Sequence, residues 1–369
     1  MKILHIHPSL NTGGVESMIF GLANQMVISH EVEVCSIFTP KHNFILWNEL
    51  DPRIKKTTIG KNQSGLSLKE IYKIYQHVKE GKYDIVQTHG FFLYYILSIL
   101  LCHKTTKFCY TVHSDAKKEG SRWDRKFYKL KRLFFKYNWL TPITISPTSQ
   151  ESFLAYYNLT SYLIPNGIPA PAIRGNKKAI VDSYKLTDRT KIILHIGRID
   201  TPKNQLVMCK AFNRIIKEGY DVVLLIAGPI ANQNIFNSLQ PYLNDRIKYI
   251  GEISMAREWL AASDAMLLPS IWEGLPVTLL EAMSTKCVPL CSPVGGIPNV
   301  ITDNVEGFLS KSSSEDDIYE VIKRYIDTPN TIINTIKEAT LKRFTDNFGI
   351  ERTSSLYIQL YKRLLSTNN

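Results

Sequence analysis

Two glutamates, Glu273 and Glu281, stand in the run Pro269-Ser270-Ile271-Trp272-Glu273-Gly274-Leu275-Pro276-Val277-Thr278-Leu279-Leu280-Glu281-Ala282-Met283. Glu273 belongs to a loop marked by Gly274 and Pro276. Glu281 falls about a turn into the apolar helix that follows. A carboxylate accepts two hydrogen bonds and so suits vicinal hydroxyls of a sugar or ribose. The backbone N–H groups at the helix start, around Leu275, Val277 and Thr278, have no partner within the helix and favour phosphate. A lone Glu on a helix is usually a solvated charge, but one followed by Ala-Met in an apolar run is harder to read that way.

Arg198 and Lys203 supply the complementary charge. They lie in Gly197-Arg198-Ile199-Asp200-Thr201-Pro202-Lys203-Asn204, directly after an apolar strand. Arg offers a planar fork and Lys a point charge, which together suit a pyrophosphate. The alternative is a pair of surface cations. Two glycine turns complete the set. Asn11-Thr12-Gly13-Gly14-Val15-Glu16 joins the first strand to a helix, where backbone can approach an anion closely. Pro293-Val294-Gly295-Gly296-Ile297-Pro298 follows a later strand. Each also reads as a plain tight turn, and neither is a G-x-G-x-x-G fingerprint.

The elements that position these residues alternate strand and helix. Strands are expected at 2–7, 32–38, 84–88, 107–112 and 142–145, with helices at 14–27, 66–80, 91–102 and 122–138 between them. After the Pro- and Gly-rich stretch 164–171, which reads as a hinge, the alternation restarts. Strands follow at 192–196, 222–227, 247–250, 265–268 and 288–290, and helices at 204–217, 235–243, 256–262 and 277–283. A last helix is expected over 351–365. Short apolar strands alternating with amphipathic helices imply parallel sheets covered on both faces. The fold class is therefore α/β, in two Rossmann-like domains, and 369 residues are enough for two cores.

Composition bounds the rest. Hydrophobic residues make up 44% and charged residues 21%, as in an ordinary globular chain. The six cysteines form no C-x-x-C pair and read as buried, reduced thiols of a cytoplasmic protein. No signal peptide is visible at the start. The longest apolar run, 91–101, is too short for a membrane span of about 20 residues. The formal net charge is +12, and residues 1–170 carry 21 Lys+Arg against 12 Asp+Glu. This basic first half suggests an acidic partner: a phospholipid surface, a phosphate-bearing acceptor or nucleic acid. Over 122–139, helical spacing puts Trp123, Phe127, Leu130, Phe134 and Tyr137 on one face and Arg122, Arg125, Lys129, Arg132 and Lys136 on the other. The segment, which ends at Trp139, reads as an interfacial helix on an anionic membrane surface or as a helix packed on its own sheet with a solvated basic face.

Taken in order, these motifs resemble the retaining nucleotide-sugar glycosyltransferases of the group-1 (family 4) kind, which have the GT-B architecture. The matched residues are Gly13-Gly14, Thr111-Val112-His113-Ser114, Ile145-Ser146, Pro165-Asn166-Gly167-Ile168, Gly197-Arg198 with Lys203, Ala227-Gly228, Ser263-Asp264, the E-x7-E run ending Glu281-Ala282-Met283, Gly295-Gly296, and 304–307. The resemblance covers nearly the whole chain. Asn299 departs from it, standing where the family often has an acid.

The resemblance implies two domains facing across a cleft. One is an acceptor-side domain over 1–168 with about 350–369 crossing back, and the other is a nucleotide-sugar-binding domain over 169–349. Arg198 and Lys203 would neutralise the donor pyrophosphate, Glu281 would bind the ribose, and Glu273 with the backbone after Gly274 would hold the sugar. Gly13, Gly14 and Gly197 would let backbone close on the ligand, and His113 would lie near the reacting sugar carbon. A UDP-sugar donor and a glycan or lipid-diphosphate-linked acceptor in cell-surface polysaccharide synthesis are the expectation. No cofactor is implied. The chain has no D-x-D and no H-E-x-x-H, so no metal site is expected, the two cations taking its place. The enzyme is expected in the cytoplasm, with peripheral attachment to the inner face of the cell membrane. Alternatives are a nucleotide-sugar epimerase or glycogen-type phosphorylase of the same architecture, which the E-x7-E placement and the lack of a cofactor lysine disfavour. A basic nucleic-acid-binding protein is another, but no such motif appears.

Overall fold

A computed structural model describes residues 1–10, 14–39, 47, 50–63, 65–113, 115–117, 125–170 and 175–366. The chain divides into two compact units, Met1–Pro169 with Gly349–Asn369, and Ala170–Phe348. Each is an α/β unit on a parallel sheet.

The first unit contains β1 (Lys2–His7), β2 (Glu31–Phe38), β3 (Lys55–Lys61), β4 (Ile85–His89), β5 (Lys107–Val112), β6 (Thr141–Thr144) and β7 (Tyr162–Leu163). Their order across the sheet is β3-β2-β1-β4-β5-β6-β7. Successive residues face opposite sides, so Leu4 and Ile6 join one core while Ile3 joins the other. The helix Gly14–Met26 packs in the second of these cores. So does the final helix Ile350–Ser366, through Ile350, Tyr357, Leu360 and Tyr361. The Tyr361 hydroxyl donates to Gln87 Oε1 at 2.9 Å, and the Ile350 N–H donates to the Ile168 carbonyl at 3.0 Å. The end of the chain is thereby tied into the first unit.

The second unit contains β8 (Lys191–Ile196), β9 (Val222–Ala227), β10 (Ile247–Gly251), β11 (Ala265–Leu268), β12 (Val288–Cys291) and β13 (Phe308–Leu309). Their order is β10-β9-β8-β11-β12-β13. Three strands had no counterpart in the sequence pattern. β3 reads Lys-Lys-Thr-Thr-Ile-Gly-Lys and forms a sheet edge, where a polar face is what protects an unpaired strand. β7 and β13 hold two residues each, too few for a period.

In both sheets the chain direction of strand addition reverses once, between β1 and β4 and between β8 and β11. Loops leaving two such neighbouring strands diverge to opposite faces and leave a crevice at their carboxyl ends, where sheets of this kind bind ligands. The motifs after β8 and β11 both fall at this point in the second unit.

Candidate functional site

In the second unit the loops after β8, β11 and β12 are knitted together by backbone. The Ile271 N–H donates to the Pro202 carbonyl at 2.8 Å, and the Gly296 N–H donates to the Gly274 carbonyl at 2.7 Å. Gly295 has φ +58°, and a Cβ there would stand 2.0 Å from the Glu273 carbonyl oxygen. Gly295 is therefore what lets the Glu273 loop lie against this turn. Gly228 serves the β8 loop in the same way: a Cβ on it would come 2.2 Å from the Gly197 carbonyl oxygen.

This framework brings Lys203 and Glu273 together. Lys203 Nζ donates to Glu273 Oε1 at 2.6 Å, and the side chains are 21% and 11% exposed. The Ser270 hydroxyl donates to the same Oε1 at 2.7 Å. Both bonds fall on one oxygen, which leaves Oε2 for a further donor. Ser270 was in the quoted run but its type gave it no role. Its hydroxyl and the Lys203 ammonium together hold that carboxylate oxygen in place.

Arg198 is 65% exposed and its nearest acid, Asp200, is 3.8 Å away, so its guanidinium is available to a ligand. Gly197 donates its N–H to the Ala227 carbonyl. Behind this turn lie two buried side chains that no motif in the sequence marks, His195 and Gln205. Gln205 Nε2 donates to the Arg198 carbonyl at 2.7 Å.

The helix Val277–Ser284 opens at Pro276, which supplies no side-chain cap. Its first N–H groups, those of Val277 and Thr278, have no acceptor within the helix. The side chains of Leu275 and Val277 are buried and anchor this end, so contact with a ligand at these positions falls to backbone. Glu281 is 13% exposed, with Arg257 Nε 3.8 Å from Oε1. Burial pushes its carboxyl up to about 7, and Arg257 opposes the rise. Arg257 lies on the helix Ala256–Ala261, and no spacing in the sequence linked it to Glu281.

In the first unit, Gly14 begins the helix after β1, and Gly13 lies outside the described residues. His113 follows β5. Its Nε2 is 2.9 Å from Nδ1 of His89 at the end of β4. The rings of His5 and His7 stand 6.1 and 6.2 Å from that of His89. Burial holds His5 and His7 down to about 4 and His113 to about 3, and keeps His89 well below the usual imidazole range. Four neutral imidazoles thus line the ends of β1, β4 and β5. Of the four, only His113 stands in a motif that the sequence marks.

Among the described residues, no three His, Cys, Asp or Glu stand where they could share a metal ion, and no helix is long and apolar enough to cross a membrane. All six cysteines are buried and unpaired.

The segment 122–139 is arranged differently from the expectation. Arg122 and Trp123 lie outside the described residues. The helix Tyr128–Lys136 buries Lys131, Phe134 and Phe135, while Phe127, Leu133 and Tyr137 are exposed. Phe134 packs on Phe92, and Phe135 packs on Tyr110, Phe153 and Tyr157. Lys131 Nζ sits 3.6 Å over the Tyr110 ring, and Arg132 Nε donates to the Tyr157 carbonyl. The docking aromatics rotate the helix, so its outer face mixes Lys126, Lys129 and Lys136 with Phe127, Leu133 and Tyr137.

Fold and site together define a two-unit Rossmann-like protein with a cation–carboxylate cluster at a sheet switch point. Known proteins give that class its name. Residues 176–342 match the family Glycosyl transferases group 1, and residues 12–170 match Glycosyltransferase Family 4. The chain belongs to the group-1 glycosyltransferases of GT-B fold. It is 26% identical over 313 residues, 79% of this chain and 80% of the other, to the UDP-Gal:alpha-D-GlcNAc-diphosphoundecaprenol alpha-1,3-galactosyltransferase of Escherichia coli. It is 24% identical to the capsular polysaccharide biosynthesis glycosyltransferase CapH of Staphylococcus aureus, with 98% of each chain covered. The crystal structure of Anabaena Alr3699/HepE in complex with UDP superposes with a TM-score of 0.80 at 15% identity, over 98% of this chain and 100% of that one.

Proposed function

We propose that this glycosyltransferase moves a sugar, with retention of anomeric configuration and without a metal ion, from a UDP-sugar to a glycan or lipid-diphosphate-linked acceptor in cell-surface polysaccharide synthesis. The observation that carries the reading is the Lys203–Glu273–Ser270 cluster beside the exposed guanidinium of Arg198. UDP is favoured because the Escherichia coli relative is named for a UDP-sugar and the Anabaena neighbour holds UDP. The acceptor class follows the diphosphoundecaprenol of the same relative's name, and the pathway follows that of the Staphylococcus relative.

The mechanism follows from charge. Breaking the bond between the sugar and its phosphate puts negative charge on the departing nucleoside diphosphate. Arg198, Lys203 and the first N–H groups of the helix Val277–Ser284 stabilise that charge where it develops. Glu281 takes the ribose hydroxyls. Glu273 takes a sugar hydroxyl on Oε2 while Lys203 and Ser270 hold Oε1. A carboxylate so engaged is a weak covalent nucleophile, so the acceptor hydroxyl attacks on the face of the leaving group and its proton passes to the phosphate oxygen. Roles for Gly13, Gly14 and His113 toward the phosphate and sugar belong to the same reading. A thermal-shift panel of UDP-, GDP- and ADP-sugars tests the donor, with the largest stabilisation expected from a UDP-sugar. NMR of the product's anomeric proton in EDTA-treated enzyme tests the rest: an inverted product, or activity lost to EDTA and restored by a divalent ion, overturns it.

The outer face of the helix Tyr128–Lys136 supports peripheral attachment to an anionic membrane at the cytoplasmic side, since lysines alternate there with exposed apolar side chains. Flotation with phosphatidylglycerol vesicles is expected and with phosphatidylcholine alone is not. Failure to bind either sinks this part.

A further inference from the structure

Gln205 is the first residue of the helix Gln205–Lys217 and is wholly buried. Its amide makes three contacts. Nε2 lies 2.7 Å from the Arg198 carbonyl oxygen and 3.2 Å from His195 Nε2, and Oε1 lies 3.4 Å from the Asp200 backbone N. His195, also wholly buried, has Nδ1 2.9 Å from the Leu267 carbonyl oxygen.

Only one set of proton positions satisfies these contacts. A carbonyl can only accept, so His195 carries its proton on Nδ1 and donates that N–H to the Leu267 carbonyl. His195 Nε2 then carries a lone pair and accepts a hydrogen bond from the Gln205 amide N–H. The amide's second N–H donates to the Arg198 carbonyl, and its oxygen accepts from the Asp200 N–H. A flipped amide would set its oxygen against the Arg198 carbonyl oxygen and leave an N–H facing the Asp200 N–H. The network is therefore rigid in its chemistry as well as its packing. It runs from Leu267 on β11, the strand that leads to Glu273, to both sides of Ile199 in the Arg198 turn after β8.

We propose that His195 and Gln205 are positioning residues: they hold the Arg198–Asp200 turn of β8 at a fixed height against β11, so that the Arg198 guanidinium and the Lys203 ammonium meet one diphosphate without rearrangement. The proposal rests on the reading of this site as a nucleoside-diphosphate site. Neither side chain touches the ligand. Burial in an apolar core suits the neutral His195 this requires and keeps it down to about 4, so the network holds through the physiological pH range. The role is confined to the phosphate end, because the ribose end is carried by Glu281 on a different helix.

That confinement gives the test. Gln205→Met keeps the volume and chain length but makes none of the three bonds. UDP and uridine are titrated into wild-type and variant enzyme by calorimetry, with NMR for the weaker ligand. Gln205→Met is expected to weaken UDP about tenfold to hundredfold, the scale of a misplaced site residue, while uridine binding is unchanged. Should Gln205→Met fold poorly, His195→Phe, which removes the acceptor and its anchor to Leu267, is expected to give the same split. Unchanged UDP affinity, or equal weakening of UDP and uridine, overturns the inference and leaves the donor-site reading standing. Wild-type enzyme that binds neither ligand overturns the donor-site reading and this inference with it.

Discussion

The ammonium of Lys203 and the carboxylate of Glu273 are 2.6 Å apart although 70 residues separate them in the chain. Both are largely screened from water, so each is the other's main compensation for lost hydration. Lys203→Ala leaves a shielded carboxylate unpaired. It is expected to lower stability by about 1–3 kcal/mol and turnover by roughly 10²–10³-fold, the scale of losing one donor to developing charge. In the double variant Lys203→Ala/Glu273→Gln, thermal unfolding should recover part of that stability, whereas turnover should not recover. Additive stability losses would show that the pair is not coupled.

Arg198 separates chemistry from folding. Its side chain is 65% exposed, so Arg198→Ala should leave stability within about 0.5 kcal/mol of wild type while turnover falls. Arg198→Lys should restore only part of the rate, because an ammonium lacks the planar fork. Steady-state rates beside melting curves check both; wild-type turnover in Arg198→Ala would remove it from the site.

Glu281 should make the unliganded enzyme pH-sensitive. Its folded pKa is raised to about 7, so between about pH 4.5 and 7 the folded state binds more protons than the unfolded chain. Stability from this group is therefore present at low pH and lost as pH rises through 7, by on the order of 1–3 kcal/mol. Glu281→Gln should flatten that part of the stability profile. Ribose hydroxyls donating to the carboxylate would lower its pKa, so UDP binding near pH 6.5 should release protons. Calorimetry in buffers of different ionisation enthalpy would detect this, and Glu281→Gln should abolish it.

His5 in the first unit carries the opposite sign. The folded pKa of His5 is depressed to about 4 by burial. Its contribution is full above the unfolded value near 6.5 and is lost as pH falls from there toward 4. His5→Phe should reduce the drop in melting temperature across that window. An unchanged acid limb in the variant would assign the drop elsewhere.

Gly295→Ala introduces both a side chain at φ +58° and an overlap with the Glu273 carbonyl. A loss of at least about 2 kcal/mol is expected, beyond the usual glycine-to-alanine range, together with weakened UDP binding as the Glu273 loop is pushed aside. Gly219→Ala, also at positive φ but with open space around it, serves as the control for backbone strain alone, and equal effects of the two would deny the packing argument.

Much of this protein is written locally. Alternation of apolar strands with amphipathic helices dictates two parallel α/β sheets, because a strand buried on both faces must be apolar throughout and its covering helix only on one side. The loop identities are local too: Gly197-Arg198, Lys203, Glu273 and Gly295-Gly296 sit at strand ends that their own neighbours define. What the sequence could not determine is what meets across the sheet. The Lys203–Glu273 pair, the Arg257 partner of Glu281, and the contact of Gly295 with the Glu273 carbonyl all join segments set side by side by the strand order β8-β11-β12. The chain of bonds from Leu267 through His195 and Gln205 to Arg198 depends on the same order, and a buried His or Gln in an apolar strand or helix gives no periodic signal of its own. The rotation of the helix Tyr128–Lys136 was decided in the same way. Its sequence holds two faces that could be buried, and the aromatic pocket formed by Phe92, Tyr110, Phe153 and Tyr157 selects the one carrying Phe134, Phe135 and Lys131. Local chemistry sets which residues can act, and only long-range packing sets which of them act together.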